Sequence, residues 1–123
     1  MLLDERIQTL KNQLLRAWSI ETSSKWTKEN PARGQCGVTA LVVQDLLNGD
    51  IVKTPLTEGW HFYNVIEGNR YDFSDSQFES PIHYENLPSN REEAFSDTNT
   101  LQYNHLTQSL IALIKKDGSP TQG

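Results

Sequence analysis

The stretch that most restricts the fold is Cys36–Leu47, CGVTALVVQDLL, the most apolar dozen residues of the chain. Its β-branched Val38, Thr39, Val42 and Val43, followed by Asn48-Gly49, suit a strand entering a hairpin. Two observations decide against that. Strands commonly run about five or six residues, and no alternation of period two is present. Val38, Leu41, Val42 and Leu46 instead share one helical face, with Asn48-Gly49 as a C-terminal stop. The segment is therefore predicted to be a buried helix.

A second helix is predicted at the N-terminus, where Leu3, Ile7, Leu10, Leu14 and Trp18 recur at steps of three and four. Ser19–Arg33 is polar and ends in the turn-forming Asn30-Pro31. A loop of about fifteen residues in a small domain is usually functional or disordered, and Trp18 and Trp26 argue that it packs down. Short antiparallel strands are predicted at Ile51–Lys53, Trp60–Ile66 and Arg70–Phe73, the last pair joined by Glu67-Gly68-Asn69. A Ser89-Asn90 cap announces a short helix over Arg91–Phe95. The final helix, Leu101–Lys116, places Tyr103, Leu106, Leu110, Leu113 and Ile114 on one face and two lysines where they complement its dipole. Residues 1–117 are read as one α+β domain, because the 123-residue chain has no room for a second core, and 118–123 as a frayed tail.

Composition narrows the function. Three Trp, four Tyr and four Phe supply surfaces to bury, so the chain is expected to be compact rather than disordered. Eleven basic residues against sixteen acidic ones, with the basic ones scattered, argue against a nucleic-acid partner. No apolar run nears the roughly 18 residues of a membrane span, and the N-terminus carries neither the basic nor the apolar region of an export signal. The lone Cys36 rules out an internal disulfide and a multi-thiolate zinc site, and fits a reducing cytoplasm.

Chemistry is expected where the loop Asn30-Pro31-Ala32-Arg33-Gly34-Gln35 delivers Cys36 to the first turn of the buried helix. Unpaired amides and the positive end of the macrodipole meet there, so a thiol at that spot is expected to have a depressed pKa and to serve as a nucleophile. The side chains of Gln35 and Asn30 are candidate donors to an oxyanion. Simple burial is the competing reading of Cys36, as for most free cysteines. His61, opening a strand, is positioned to partner the thiolate, and Trp60 and Trp26 are expected to wall the cleft. His83 and His105 sit in less organised contexts and read as packed residues.

The third member is a choice between Asp72 and Asp75. A hairpin reversing at Ile66-Glu67 sets His61 opposite Asp72, and one centred on Gly68 sets it opposite Asp75. A bulge at Gly68 restores the first pairing. Metal binding through Cys36, His61 and a carboxylate is weaker, since no C-x-x-C or H-E-x-x-H spacing is present, and no metal or cofactor is expected.

Gly34-Gln35-Cys36-Gly37-Val38-Thr39-Ala40 resembles the nucleophile segment of transglutaminases, Gly-Gln-Cys-aromatic-Val-Phe-Ala. Trp60-His61-Phe62-Tyr63-Asn64 and Asp72-Phe73-Ser74 resemble their His-x-aromatic-Asn and Asp-x-Thr motifs, in the same order. This resemblance, over about a third of the chain, implies a papain-like α+β core, a nucleophile-bearing helix packed on a small antiparallel sheet, and a triad of Cys36, His61 and Asp72. Nearly the whole chain is also similar to the YunG family of small bacterial proteins, through Gly34-Gln35-Cys36, Val38–Asp45, His61-Phe62-Tyr63-Asn64, Tyr71-Asp72-Phe73 and Gln77-Phe78. Gly37 replaces the transglutaminase aromatic, and the spacing from Cys36 to His61 is much shorter. The expected activity is acyl transfer from an amide or ester to water or an amine. The alternative is a non-catalytic binding module on the same core.

Overall fold

The computed structural model describes residues 2–117, so the expected tail at 118–123 lies outside the described residues. Helix α1, Leu3–Ala17, buries Ile7, Leu10 and Leu14 of the predicted stripe, with Ala17 beside them and Leu3 half-buried. Trp18 leaves the helix in an extended conformation and is itself buried, its indole N–H donating to Thr39 Oγ1 at 2.9 Å. That bond ties the end of α1 to helix α2, Cys36–Leu47, in which every residue from Cys36 to Val43 is buried. Fully burying one Leu or Val contributes about 1.5–3 kcal/mol, so the tertiary surroundings, not helix propensity, hold these β-branched residues helical. Asn48 and Gly49, at φ 63° and 81°, end the helix. A Cβ on Gly49 would lie 2.4 Å from the carbonyl oxygen of Val65, so this stop needs glycine for space as well as conformation.

The four strands form one antiparallel sheet in the order β3-β2-β1-β4. Strands β1, Asp50–Leu56, and β2, Gly59–Ile66, make a continuous hairpin with Thr54 opposite His61. The predicted Ile51–Lys53 falls short because Pro55 interrupts the strand signature. Pro55 pairs with Trp60 where β4, Leu87–Pro88, no longer flanks β1, so one side of the proline is open and tolerates its missing N–H. Strand β3 is Asn69–Tyr71, with Ile66 opposite Asn69. The reversal falls on Glu67-Gly68, both at positive φ, a two-residue turn between the two placements the sequence left open. The ladder stops at Tyr71, short of the predicted Phe73, and a 3-10 turn follows at Asp75–Gln77.

Helix α3, Arg91–Phe95, starts where Asn90 Oδ1 accepts from the Glu93 amide at 2.9 Å. Helix α4, Thr100–Asp117, packs Leu106 and Leu110 into the core formed with α1 and α2, and none of the described helices is long and apolar enough to cross a membrane. Arg91 fastens α3 to α2 through Asp45 at 3.0 Å, Gln44 Oε1 at 3.0 Å and the Leu41 carbonyl at 3.3 Å. Residues 96–99 link α3 to α4. The architecture is α+β: four helices with a small four-stranded antiparallel sheet.

Candidate functional site

Cys36 occupies the first position of α2, and it lines a cleft of about 660 Å³ together with His61, Trp60 and Asn30. The cleft runs between the loop after α1, with Lys25 and Arg33, and an apolar wall of Leu56, Trp60, Phe78 and Ile82. Gly34, at φ 73°, closes the loop on α2, and its missing Cβ leaves room for Ser23 Oγ, which would lie 2.4 Å away.

His61 is 2% exposed, and its Nε2 lies 2.6 Å from Asp72 Oδ2. An ionised carboxylate only accepts, so Nε2–H donates and Nδ1 remains as the ring nitrogen to serve the cleft. The carboxylate of Asp72 is fully engaged. Tyr84 Oη–H donates to Oδ2 at 2.8 Å, while the Ser74 amide and hydroxyl reach Oδ1 at 3.2 and 3.3 Å. Burial, and then the adjacent Asp72 carboxylate, push the Tyr84 phenol upward, so it stays a donor. Phe78 meets the imidazole edge-on at 4.9 Å. Asp75, by contrast, is exposed at the start of the 3-10 turn. The carboxylate that meets His61 comes from just beyond the ladder, a position that strand alternation does not reach.

The thiol is held otherwise than expected. Cys36 Sγ–H donates to Asp97 Oδ2 at 3.3 Å, and the Gly37 amide donates to the same oxygen at 3.1 Å. Its hydrogen-bond partner is therefore Asp97 and not His61. Burial first, and then Asp97, push the thiol up to about 12, with the Phe62 amide pulling the other way. The expected depressed pKa is thus reversed: the residue is buried and faces a carboxylate, which together outweigh the helix dipole. Asp97 is exposed as a residue, but desolvation of its carboxyl raises its own pKa against the hydrogen bonds from Cys36 and Gly37. Gly37 makes the approach possible, since a Cβ there would lie 2.7 Å from both Asp97 Cβ and Oδ2 and 2.8 Å from the Ala94 carbonyl oxygen.

A pH consequence follows with a definite sign. The folded state keeps the Cys36 proton above the ordinary thiol range, so the unfolded chain binds fewer protons between pH 9.0 and about 12. Stability from this group is complete below pH 9.0 and lost as pH rises toward 12, at up to about 1.4 kcal/mol per pH unit. Denaturant melts between pH 9 and 10 should show this loss together with one of the same sign from Tyr63, Tyr84 and Tyr103, whose phenols burial also holds up, and Cys36→Ala should remove the cysteine's share.

Of the other residues singled out, Trp60 lines the cleft, 47% exposed, with Lys53 Nζ 4.2 Å from its ring centroid. Asn30 also lines it, but its Nδ2 donates to the Gln77 carbonyl at 3.1 Å and so pins the loop. The structure does not bring Trp26 or Gln35 to the cleft. Trp26 packs against the core of α1, α2 and α4. Gln35 is fully buried, its Oε1 accepting from Thr22 Oγ1 at 2.8 Å, because the tight turn at Gly34 directs it inward. His83 and His105, expected to be packed, are instead exposed. Asn64 Nδ2 donates to the Ala40 carbonyl at 3.1 Å and fastens β2 to α2. Sequence reasoning gave no role to Asp97, Tyr84, Ser74 or Phe78, although Ser74 and Phe78 stand in motifs quoted for the resemblances and Asp97 left a trace in the glycine after Cys36.

A family model described as YunG protein matches residues 6–115. A relative from Bacillus subtilis (strain 168), named Uncharacterized protein YunG, is 55% identical over 102 residues, covering 83% of this chain and 89% of that protein. No solved structure matches the chain. With the family model extending from α1 to the last turns of α4, and so over every residue of the cleft, the chain belongs to the YunG family.

Proposed function

We propose that this protein is a cysteine-nucleophile acyl-transfer enzyme acting on an amide or ester, with Cys36, His61 and Asp72 as its triad. The observation that carries the reading is the buried His61–Asp72 pair at 2.6 Å, its imidazole lining the same cleft as Cys36. In this reaction His61 Nδ1 takes the thiol proton and the sulfur attacks the carbonyl carbon. The tetrahedral intermediate then collapses to a thioester as His61 returns the proton to the leaving amine or alcohol. Water or an amine, deprotonated by His61, next attacks the thioester and releases Cys36. Asp72 orients the imidazole and offsets its positive charge, while Tyr84 and Ser74 hold Asp72. The order of the three motifs and the nucleophile at a helix start favour a papain-like, transglutaminase-like core. Gly37 departs from the transglutaminase aromatic because Asp97 and Ala94 fill that space. A lone free thiol suits a cytoplasmic setting.

One observation favours a second reading, a binding module without turnover: the thiol donates to Asp97 and not to His61. Exposure to p-nitrophenyl acetate separates the two. The enzyme reading expects an acetyl thioester on Cys36 by intact mass, absent in Cys36→Ala and formed at least about 100-fold more slowly in His61→Ala. Acylation at the same rate with and without His61 would leave only the binding module.

A further inference from the structure

The link between α3 and α4 carries a carboxylate, Asp97, that grips the nucleophile candidate, and the acyl-transfer scheme has no use for it. We propose that Asp97 is an internal lock on Cys36: its carboxylate holds the thiol and the Gly37 amide at the place a substrate carbonyl must approach, and it swings away when an acyl group enters.

The geometry supports this on three counts. Oδ2 accepts from Cys36 Sγ at 3.3 Å and from the Gly37 amide at 3.1 Å, so one oxygen engages both the sulfur and an amide in the first turn of α2. That amide is the donor an oxyanion on a Cys36 adduct would need. Next, Asp97 is an exposed residue on a four-residue link, so rotation of its side chain releases the sulfur without moving a helix. Finally, space for the contact is built in: any side chain at position 37 would collide with Asp97 and with the Ala94 carbonyl, whereas glycine admits them. The charged and titratable groups acting on Asp97 come from three sides, Lys25 from the loop after α1, His61 from β2 and Cys36 from α2. Desolvation raises the Asp97 carboxyl, and Lys25 and His61 pull the other way. A lock also accounts for a nucleophile candidate whose thiol is held protonated, since a carboxylate at hydrogen-bond distance opposes thiolate formation.

The inference rests on the acyl-transfer reading only for what displaces Asp97, and its test does not require turnover. Cys36 is the chain's only cysteine, so alkylation reports on this thiol alone. Wild type, Asp97→Asn and Asp97→Ala are treated with iodoacetamide across a pH series and followed by intact mass, with melting curves in parallel. The lock predicts that both variants react at least about tenfold faster than wild type near pH 7.5, and that the midpoint of the rate profile moves to lower pH. Rates within about twofold of wild type would overturn it. A fall in rate would also overturn it, and would make Asp97 a base that draws off the thiol proton. A gain that vanishes when sucrose restores the melting temperature is local unfolding, and equally overturns it. Adding His61→Ala to the Asp97→Asn chain separates the two proposals. If the released thiol loses its reactivity, lock and triad both stand; if it keeps it, the lock stands and the triad fails. A His61-dependent thioester in a protein indifferent to Asp97 would be the converse.

Discussion

Asp72→Ala is expected to destabilise the protein by about 3–5 kcal/mol, the sum for several buried donors that lose a carboxylate acceptor. The carboxylate accepts from His61 Nε2, Tyr84 Oη, and the amide and hydroxyl of Ser74, and His61 and Ser74 are themselves almost fully buried. Deleting it leaves these donors with no acceptor and too little room for water to replace each bond, so their desolvation becomes a net cost. For a chain of this size the loss should appear as a fall in melting temperature of roughly 10–20 °C. Asp72→Asn keeps the oxygen facing Ser74 but turns an amide toward two donors, so it should cost less, about 2 kcal/mol. Tyr84→Phe removes one bond and should cost about 1 kcal/mol. Urea melts of the three variants give the ranking directly. An Asp72→Ala protein within 1 kcal/mol of wild type, on the scale of one ordinary hydrogen bond, would show that the network holds nothing together.

Gly37→Phe should be comparably damaging for a steric reason, at about 3 kcal/mol or more, beyond the usual cost of overpacking. The first atom of any side chain would lie 2.7 Å from Asp97 Cβ and 2.8 Å from the Ala94 carbonyl oxygen. Asp97 can rotate away, but the Ala94 carbonyl is backbone of α3, which Arg91 clamps to Asp45, Gln44 and Leu41 on α2. Room for a phenyl ring requires that clamp to open. Gly37→Ala is expected to cost about 1–3 kcal/mol, and Arg91→Ala placed with it should show coupling of opposite sign to two independent losses. Calorimetry on the single and double variants reads this, and strictly additive losses would mean that α3 yields without stressing the clamp.

Much of the frame was legible from residue order because local physics specifies it. The steps of three and four from Leu3 to Trp18 can bury one stripe only as a helix, and the buried face of α1 is that stripe. Cys36–Leu47 was decided by length and its Asn48-Gly49 stop, and Asn90 and the paired lysines mark helix ends by local hydrogen bonding and charge. Cys36 at the start of α2 and His61 on β2 beside it follow from these local rules. The long-range features do not. The reversal at Glu67-Gly68 came between the two registers that alternation allowed, and Asp72 meets His61 from beyond the end of the ladder. Pro55 hid half of β1 because its cost depends on whether a neighbouring strand is present. Above all, the state of the thiol was decided by burial and then by Asp97, sixty-one residues away along the chain, for which Gly37 leaves the space. Helices and turns are chosen by neighbours within a few residues, whereas desolvation and charge at Cys36 are set by whatever the tertiary fold packs against it, and that is where the local prediction of a depressed pKa failed.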